Sequence, residues 1–231
     1  MSDAAAKTRR EASGRGWRTV AGAWGPPGNE RLTTSLGLVL LVLLGIETLT
    51  TLALHAYLPV HIFLGLLLIP PVALKLASTG WRFLRYYTNS KPYRVAGPPR
   101  LLLRLLAPFL VASTLTLFGS GVLMIIVGHG GGPLLQLHVV SFAVWGVLIA
   151  IHILAYLTRL LRVGPADWRR TTTPVVPGRR SRRAALLGAL VAGVVLALAT
   201  YSAQQAWLNH RHEHRNGDGA VQAAAGAAPR V

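Results

Sequence analysis

Long runs of apolar residues alternate with short polar segments along this chain, and five of the runs reach the length that a membrane demands. At 1.5 Å per residue, a helix needs about 20 apolar residues to cross a hydrocarbon core of about 30 Å. Stretches at 34–54, 59–78, 101–127, 133–161 and 184–201 meet that requirement. Inside lipid each backbone group must be bonded within its own segment, so the spans predict helices and not isolated strands. The expected fold is all-α: an integral membrane protein built as a four-helix up-down transmembrane bundle plus a fifth transmembrane helix. Pro70 and Pro71 predict a kink in the second helix, because each proline removes a donor and crowds the preceding turn.

The polar segments divide the chain. Residues 1–33 form a basic tail, 34–162 the four-helix unit, 163–183 a basic linker carrying Pro165, Pro174, Pro177 and Gly178, and 184–206 the fifth helix. Residues 207–231, small and polar, are expected to be disordered. The first 33 residues contain no short apolar core with a small-residue cleavage site, so the first apolar segment is expected to remain as an anchor.

Placement of charge supplies the orientation. The connections LHAYLPV and GHGGGP contain no Lys or Arg, whereas 6 basic residues precede the first span, 6 lie within 82–104 and 8 within 159–183. The positive-inside rule assigns these three segments, and with them the N-terminus, to the cytoplasm of a cell-membrane protein whose C-terminus is extracytoplasmic. A formal net charge of +17 would by itself suggest nucleic acid. The basic residues, however, sit in short blocks between apolar runs and carry no readout motif, so a lipid bilayer is the expected partner and nucleic acid is not. Composition agrees: 13% of residues are charged, against about 25% in a soluble domain. Absence of Cys excludes disulfides, iron–sulfur clusters and thiolate-bound haem or zinc, so any metal falls to His, carboxylate or amine.

Ionisable groups at membrane depth are costly and therefore functional candidates. His138 and His152 stand 14 residues apart on the fourth span, which puts them on one face and about 21 Å apart along the helix. The second span runs in the same direction. Aligning its His61 with His138 sets Lys75 opposite His152, Arg82 opposite Arg159 and Arg85 opposite Arg162. His61 and His138 are then placed to approach one iron from opposite sides near the outer face, while the inner position has His152 facing Lys75. Three fates are open to Lys75: a neutral amine ligand, a partner for a propionate or carboxylate, or, most simply, a side chain snorkelling to the headgroups.

Other candidates carry less. Glu47 is the sole acid within a span and is suited to a proton path, a quinone hydroxyl or a histidine partner, or simply to a protonated or interhelically hydrogen-bonded carboxyl. Gly65, Gly119, Gly121 and Gly146 clear room for a porphyrin or merely let helices approach. His55, His129 and the tail residues His210, His212 and His214 are expected to be solvated, and the ordinary topological role suffices for the four matched arginines.

The paired patterns H-x13-K, from His61 to Lys75, and H-x13-H, from His138 to His152, make residues 32–162 resemble the four-helix di-haem cytochrome b type. That type includes the cytochrome b561-like proteins and the cytochrome b subunits of formate dehydrogenases and hydrogenases. The resemblance implies transmembrane or quinone-linked electron transfer, with His61 and His138 as haem iron ligands and His152, with Lys75 in the fourth position, as the inner set. Lys75 departs from the pattern, so one haem b is expected rather than two, with a quinone and a redox partner protein as companions. The alternative is a haem-free membrane scaffold or partner-binding subunit. The chain shows no nucleophile–base pair or phosphate loop, so neither hydrolase nor transferase chemistry is expected.

Overall fold

A computed structural model describes residues 24–88, 90–95, 101–128, 132–168 and 176–209. All regular structure among them is helical, and five helices are long and apolar enough to cross a membrane: α1 (Pro26–Leu52), α2 (Leu54–Tyr87), α3 (Leu101–Val127), α4 (Gly132–Val163) and α5 (Arg179–Ala199). The protein is a multi-pass membrane protein. Its lipid-facing surface is openly apolar; Ile126 and Leu154 each leave 74% of their surface exposed, a cost in water that disappears against acyl chains.

The termini of the helices explain why they begin and end where they do. Pro26 and Pro27 occupy the first turn of α1, where a missing N–H costs nothing and a fixed φ favours the helix. The helix thus starts eight residues before the apolar run predicted from 34. Gly128, at φ 73°, terminates α3 and donates from its N–H to the Met124 carbonyl, a left-handed closure that favours glycine. The helical turn Gly164–Asp167 extends α4, and a five-residue helix, Lys91–Val95, leads toward α3. The linker predicted over 163–183 is therefore partly structured, and α5 already starts at Arg179. Residues 201–209 are helical as well, with Trp207 and Leu208 buried, so the tail predicted from 207 begins inside the packed protein.

Residue pairings fix the directions. On α1 and α2, Asn29 Nδ2 donates to the Ser78 carbonyl while Thr50 meets His61, so the two helices run antiparallel. Trp145 Nε1 donates to Thr114 Oγ1, and Ser120 meets His138, which makes α3 and α4 antiparallel too. α1 also packs on α4, and α2 more lightly on α3, leaving α2 and α4 facing each other across the middle instead of in direct backbone packing. α5 lies along the outside of α2, with Leu186 joining Leu32 and Leu36 in a buried cluster flanked by Leu74.

The kink predicted at Pro70–Pro71 is not where the backbone departs from helical geometry. The only non-helical residue within α2 is Tyr57 (φ −112°, ψ 15°), in the reversal that follows Ala53. The two prolines nonetheless leave a mark. The Leu67 carbonyl would ordinarily accept from residue 71, or from residue 70 in a tighter turn, and neither has an N–H. That orphaned oxygen points at Gly193 of α5. A Cβ on Gly193 would stand 3.1 Å from the Leu67 carbonyl carbon and closer still to its oxygen. Contact between a glycine Cα–H and a freed carbonyl is a recurrent way for membrane helices to pack. Here the missing side chain of Gly193 lets α5 approach the Leu67 carbonyl of α2 directly.

At the basic end, α5 is held by charge. Arg182 donates to both oxygens of Asp167, at 2.6 and 2.8 Å, and the two side chains are 1% and 3% exposed. Arg31 of α1 reaches the same carboxylate at 3.4 Å. Arg179 and Arg183 donate to the Asp167 carbonyl. Burial alone would raise the Asp167 pKa; the hydrogen bonds and charge of Arg182, followed by those of Arg31, overcome it and hold the carboxyl below its ordinary value.

Candidate functional site

Candidate side chains recur at seven-residue spacing on α2 and α4: His61, Leu68 and Lys75 on one helix, and His138, Trp145 and His152 on the other. Seven residues are nearly two turns, so each set lines one face of its helix. Leu68 and Trp145, at the middle position of each set, are buried, at 1% and 6% exposure. They separate an upper chemistry-bearing layer, at the end without basic loops, from a lower one near the basic end.

The upper layer brings His61 and His138 together, with ring centroids 6.4 Å apart and planes at 85°. Their hydrogen bonds fix which nitrogen is available. His138 Nδ1 lies 3.1 Å from the Leu117 carbonyl, which can only accept, so Nδ1 carries the proton. Ser120 Oγ, 3.0 Å from the same nitrogen, already donates to Leu117 and therefore accepts as well. On the other ring, His61 Nδ1 is 2.8 Å from Glu47 Oε1 and 3.3 Å from Thr50 Oγ1. The Thr50 hydroxyl donates to the Glu47 carbonyl at 2.6 Å, so it too presents a lone pair to the ring. Both imidazoles are thus held as Nδ1–H tautomers, and among the described residues Nε2 of each is left for a ligand.

The ring separation leaves room for a metal–nitrogen bond of about 2.0 Å on each side, so the two imidazoles would fit a single metal between them. Glycines let these side chains pack closely: a Cβ on Gly121 would lie 3.2 Å from His138 Cε1, and one on Gly65 3.7 Å from Glu47 Oε1. Glu47 Oε2 is buried and has no hydrogen-bond partner among the described residues.

The lower layer is different in kind. Lys75 Nζ turns to α1 and donates to the Thr33 carbonyl, close to Gly37, rather than lying out along the lipid surface. No carboxylate pairs with it among the described residues. It lies within electrostatic reach of His152, whose ring rests 5.0 Å from that of Tyr156. Polar contacts also join α1 and α2 in this half, with Thr33 bonded to Ser78 at 2.9 Å and Asn29 to the Ser78 backbone. Of the matched arginines, Arg159 pairs with Glu30 and Arg85 stacks 5.4 Å over Trp81, contacts typical of a helix end. His55 is exposed, while His129, His210, His212 and His214 lie outside the described residues.

The residues that orient the two rings were not identified from the sequence, apart from Glu47. Their signal is positional: in an antiparallel pair, residues equally distant from the turn meet, as Glu47 and His61 do seven positions either side of residue 54, and Ser120 and His138 nine positions either side of residue 129. No protein-family model, curated protein or solved structure matches the chain.

Proposed function

We propose that the protein is a b-type haem membrane protein that passes single electrons through the upper layer, exchanging them with the quinone pool or a redox partner protein. The observation that carries this reading is the His61/His138 pair, 6.4 Å apart, with each Nδ1 bonded and each Nε2 left over. A bare ion is usually held by three or four protein ligands, and among the described residues no group of three or more His, Cys, Asp or Glu forms one. Two axial imidazoles are what a haem asks of a protein, because the macrocycle fills the other positions itself. When bound, the haem supplies a one-electron couple; the residues of this chain hold it, orient its ligands and exclude water.

The role of each group follows from its contacts. His61 and His138 ligate through Nε2. Glu47, Thr50, Ser120 and the Leu117 carbonyl fix the ring orientations, and Gly121, lacking a Cβ, lets the His138 ring seat against α3. His152 and Lys75 form the lower layer, where one histidine and an amine already bonded to Thr33 give no second imidazole pair, so one haem b is expected. In this reading the basic ends lie in the cytoplasm of a cell membrane, which places the haem near the extracytoplasmic face.

Reduced-minus-oxidised spectra of detergent-purified protein test the proposal. A bis-histidine haem gives a sharp α band; His61→Ala and His138→Ala should each abolish it, and His152→Ala should leave it in place. If none of the proteins shows a band, the pinned imidazoles serve as helix-to-helix hydrogen bonds in a haem-free scaffold.

A further inference from the structure

We propose that Glu47 makes the two imidazoles of the upper layer unequal, acting as a positioning residue that sets the potential of an iron held between them. The inference rests on the haem reading above and goes beyond it in assigning the potential to one side chain.

The asymmetry is in the acceptors. His138 Nδ1–H meets a hydroxyl and a backbone carbonyl, both neutral. His61 Nδ1–H meets a carboxylate oxygen at 2.8 Å, with Thr50 accepting more weakly at 3.3 Å. An imidazole that donates to a carboxylate becomes a stronger donor through its other nitrogen, which stabilises the more highly charged state of a metal. Charge acts in the same direction. Ferric haem carries one net positive charge on its porphyrin-bound iron and ferrous haem none, so a carboxylate beside the ligand favours the ferric form. Solvent does little to screen it, since the Glu47 side chain is 13% exposed. Oε2 has no hydrogen-bond partner among the described residues, and Lys75 stands two heptads down α2 from His61.

Spectroelectrochemical titration of the haem-loaded protein decides the matter. Glu47→Gln keeps an acceptor for Nδ1–H and removes the charge. It should raise the midpoint so that the ferrous form gains at least tenfold over the ferric, which is 59 mV for a one-electron couple. Glu47→Asp draws the carboxylate back from the ring and should shift the midpoint the same way by a smaller amount. Ser120→Ala, at the neutral ligand, should move it less than threefold. A midpoint that Glu47→Gln leaves unchanged or lowers, or that Ser120→Ala moves equally far, overturns the assignment. Should Glu47→Gln fail to load, Glu47→Asp is judged by the same readout. A wild-type protein without haem overturns this inference together with the reading beneath it; a loaded wild type with an indifferent Glu47→Gln overturns this inference alone.

Discussion

Replacing Gly193 with alanine puts a methyl group where α2 leaves no room. The new Cβ would stand 3.1 Å from the Leu67 carbonyl carbon, 3.4 Å from Leu67 Cα and nearer still to the oxygen. All three are backbone atoms and cannot rotate away, so α5 must move outward from α2. Overpacking of this kind costs about 1–3 kcal/mol, and losing the glycine Cα–H contact to the orphaned carbonyl adds about 0.5–1 kcal/mol. Better helix propensity returns up to about 1 kcal/mol, for a net destabilisation of about 0.5–4 kcal/mol. At about 2–4 °C per kcal/mol for a chain of this length, the melting temperature in mild detergent should fall by about 1–16 °C. Gly188→Ala is the matched control. It lies on the same helix, and a Cβ there meets nothing within 4 Å, so only the propensity gain applies. Thermal unfolding followed by size-exclusion chromatography should place Gly193→Ala below wild type and Gly188→Ala at or slightly above it. Equal melting of the two variants would refute the account of how α5 seats on the proline-freed carbonyl.

Further expectations follow from the other contacts. Asp167→Ala leaves Arg182 buried without its bidentate partner, a loss of about 3–5 kcal/mol, and limited proteolysis should then cut between α4 and α5. Because the Asp167 carboxyl is held below its ordinary value, its contribution is present above the unfolded value of about 3.9 and is lost as pH falls through the folded one. Acid unfolding curves of wild type should therefore steepen below about pH 4 relative to Asp167→Asn. Gly121→Leu intrudes on the His138 ring and should prevent haem loading, assayed by Soret absorbance, whereas Gly119→Leu, at a site with no neighbour within 4 Å, should load normally. Lys75→Met removes a buried cation that has no carboxylate partner among the described residues, so fold and upper-layer haem content should both persist, read by melting temperature and haem absorbance.

Much of the architecture is legible in hydropathy, for a physical reason: lipid makes length and apolarity sufficient to specify a spanning helix. The helix ends are less legible. Glu30 and Arg31 look like tail residues until Arg159 and Asp167 are brought beside them, and α5 reaches back to Arg179 because Arg182 finds its counter-ion only in the folded chain. Pro70 and Pro71 suggest a break by local rules. The carbonyl they free is approached at long range by Gly193, which no local pattern reports. The histidine spacing points to His61 and His138 as a pair, but the tautomer argument needs Thr50, Ser120 and the Leu117 carbonyl, whose roles emerge only from the pairing of two helical hairpins. Lys75 is visible as an oddity of sequence. That it turns inward to the Thr33 carbonyl depends on the closeness of α1, which one-dimensional depth does not contain.

The central claim is that His61 and His138 together hold a haem. A pyridine haemochrome assay on protein purified after expression with ample haem tests it most directly, run in parallel on wild type and on His61→Ala. The account predicts about one haem per wild-type chain and none in the variant; no haem in wild type, or a haem that survives loss of His61, would contradict it.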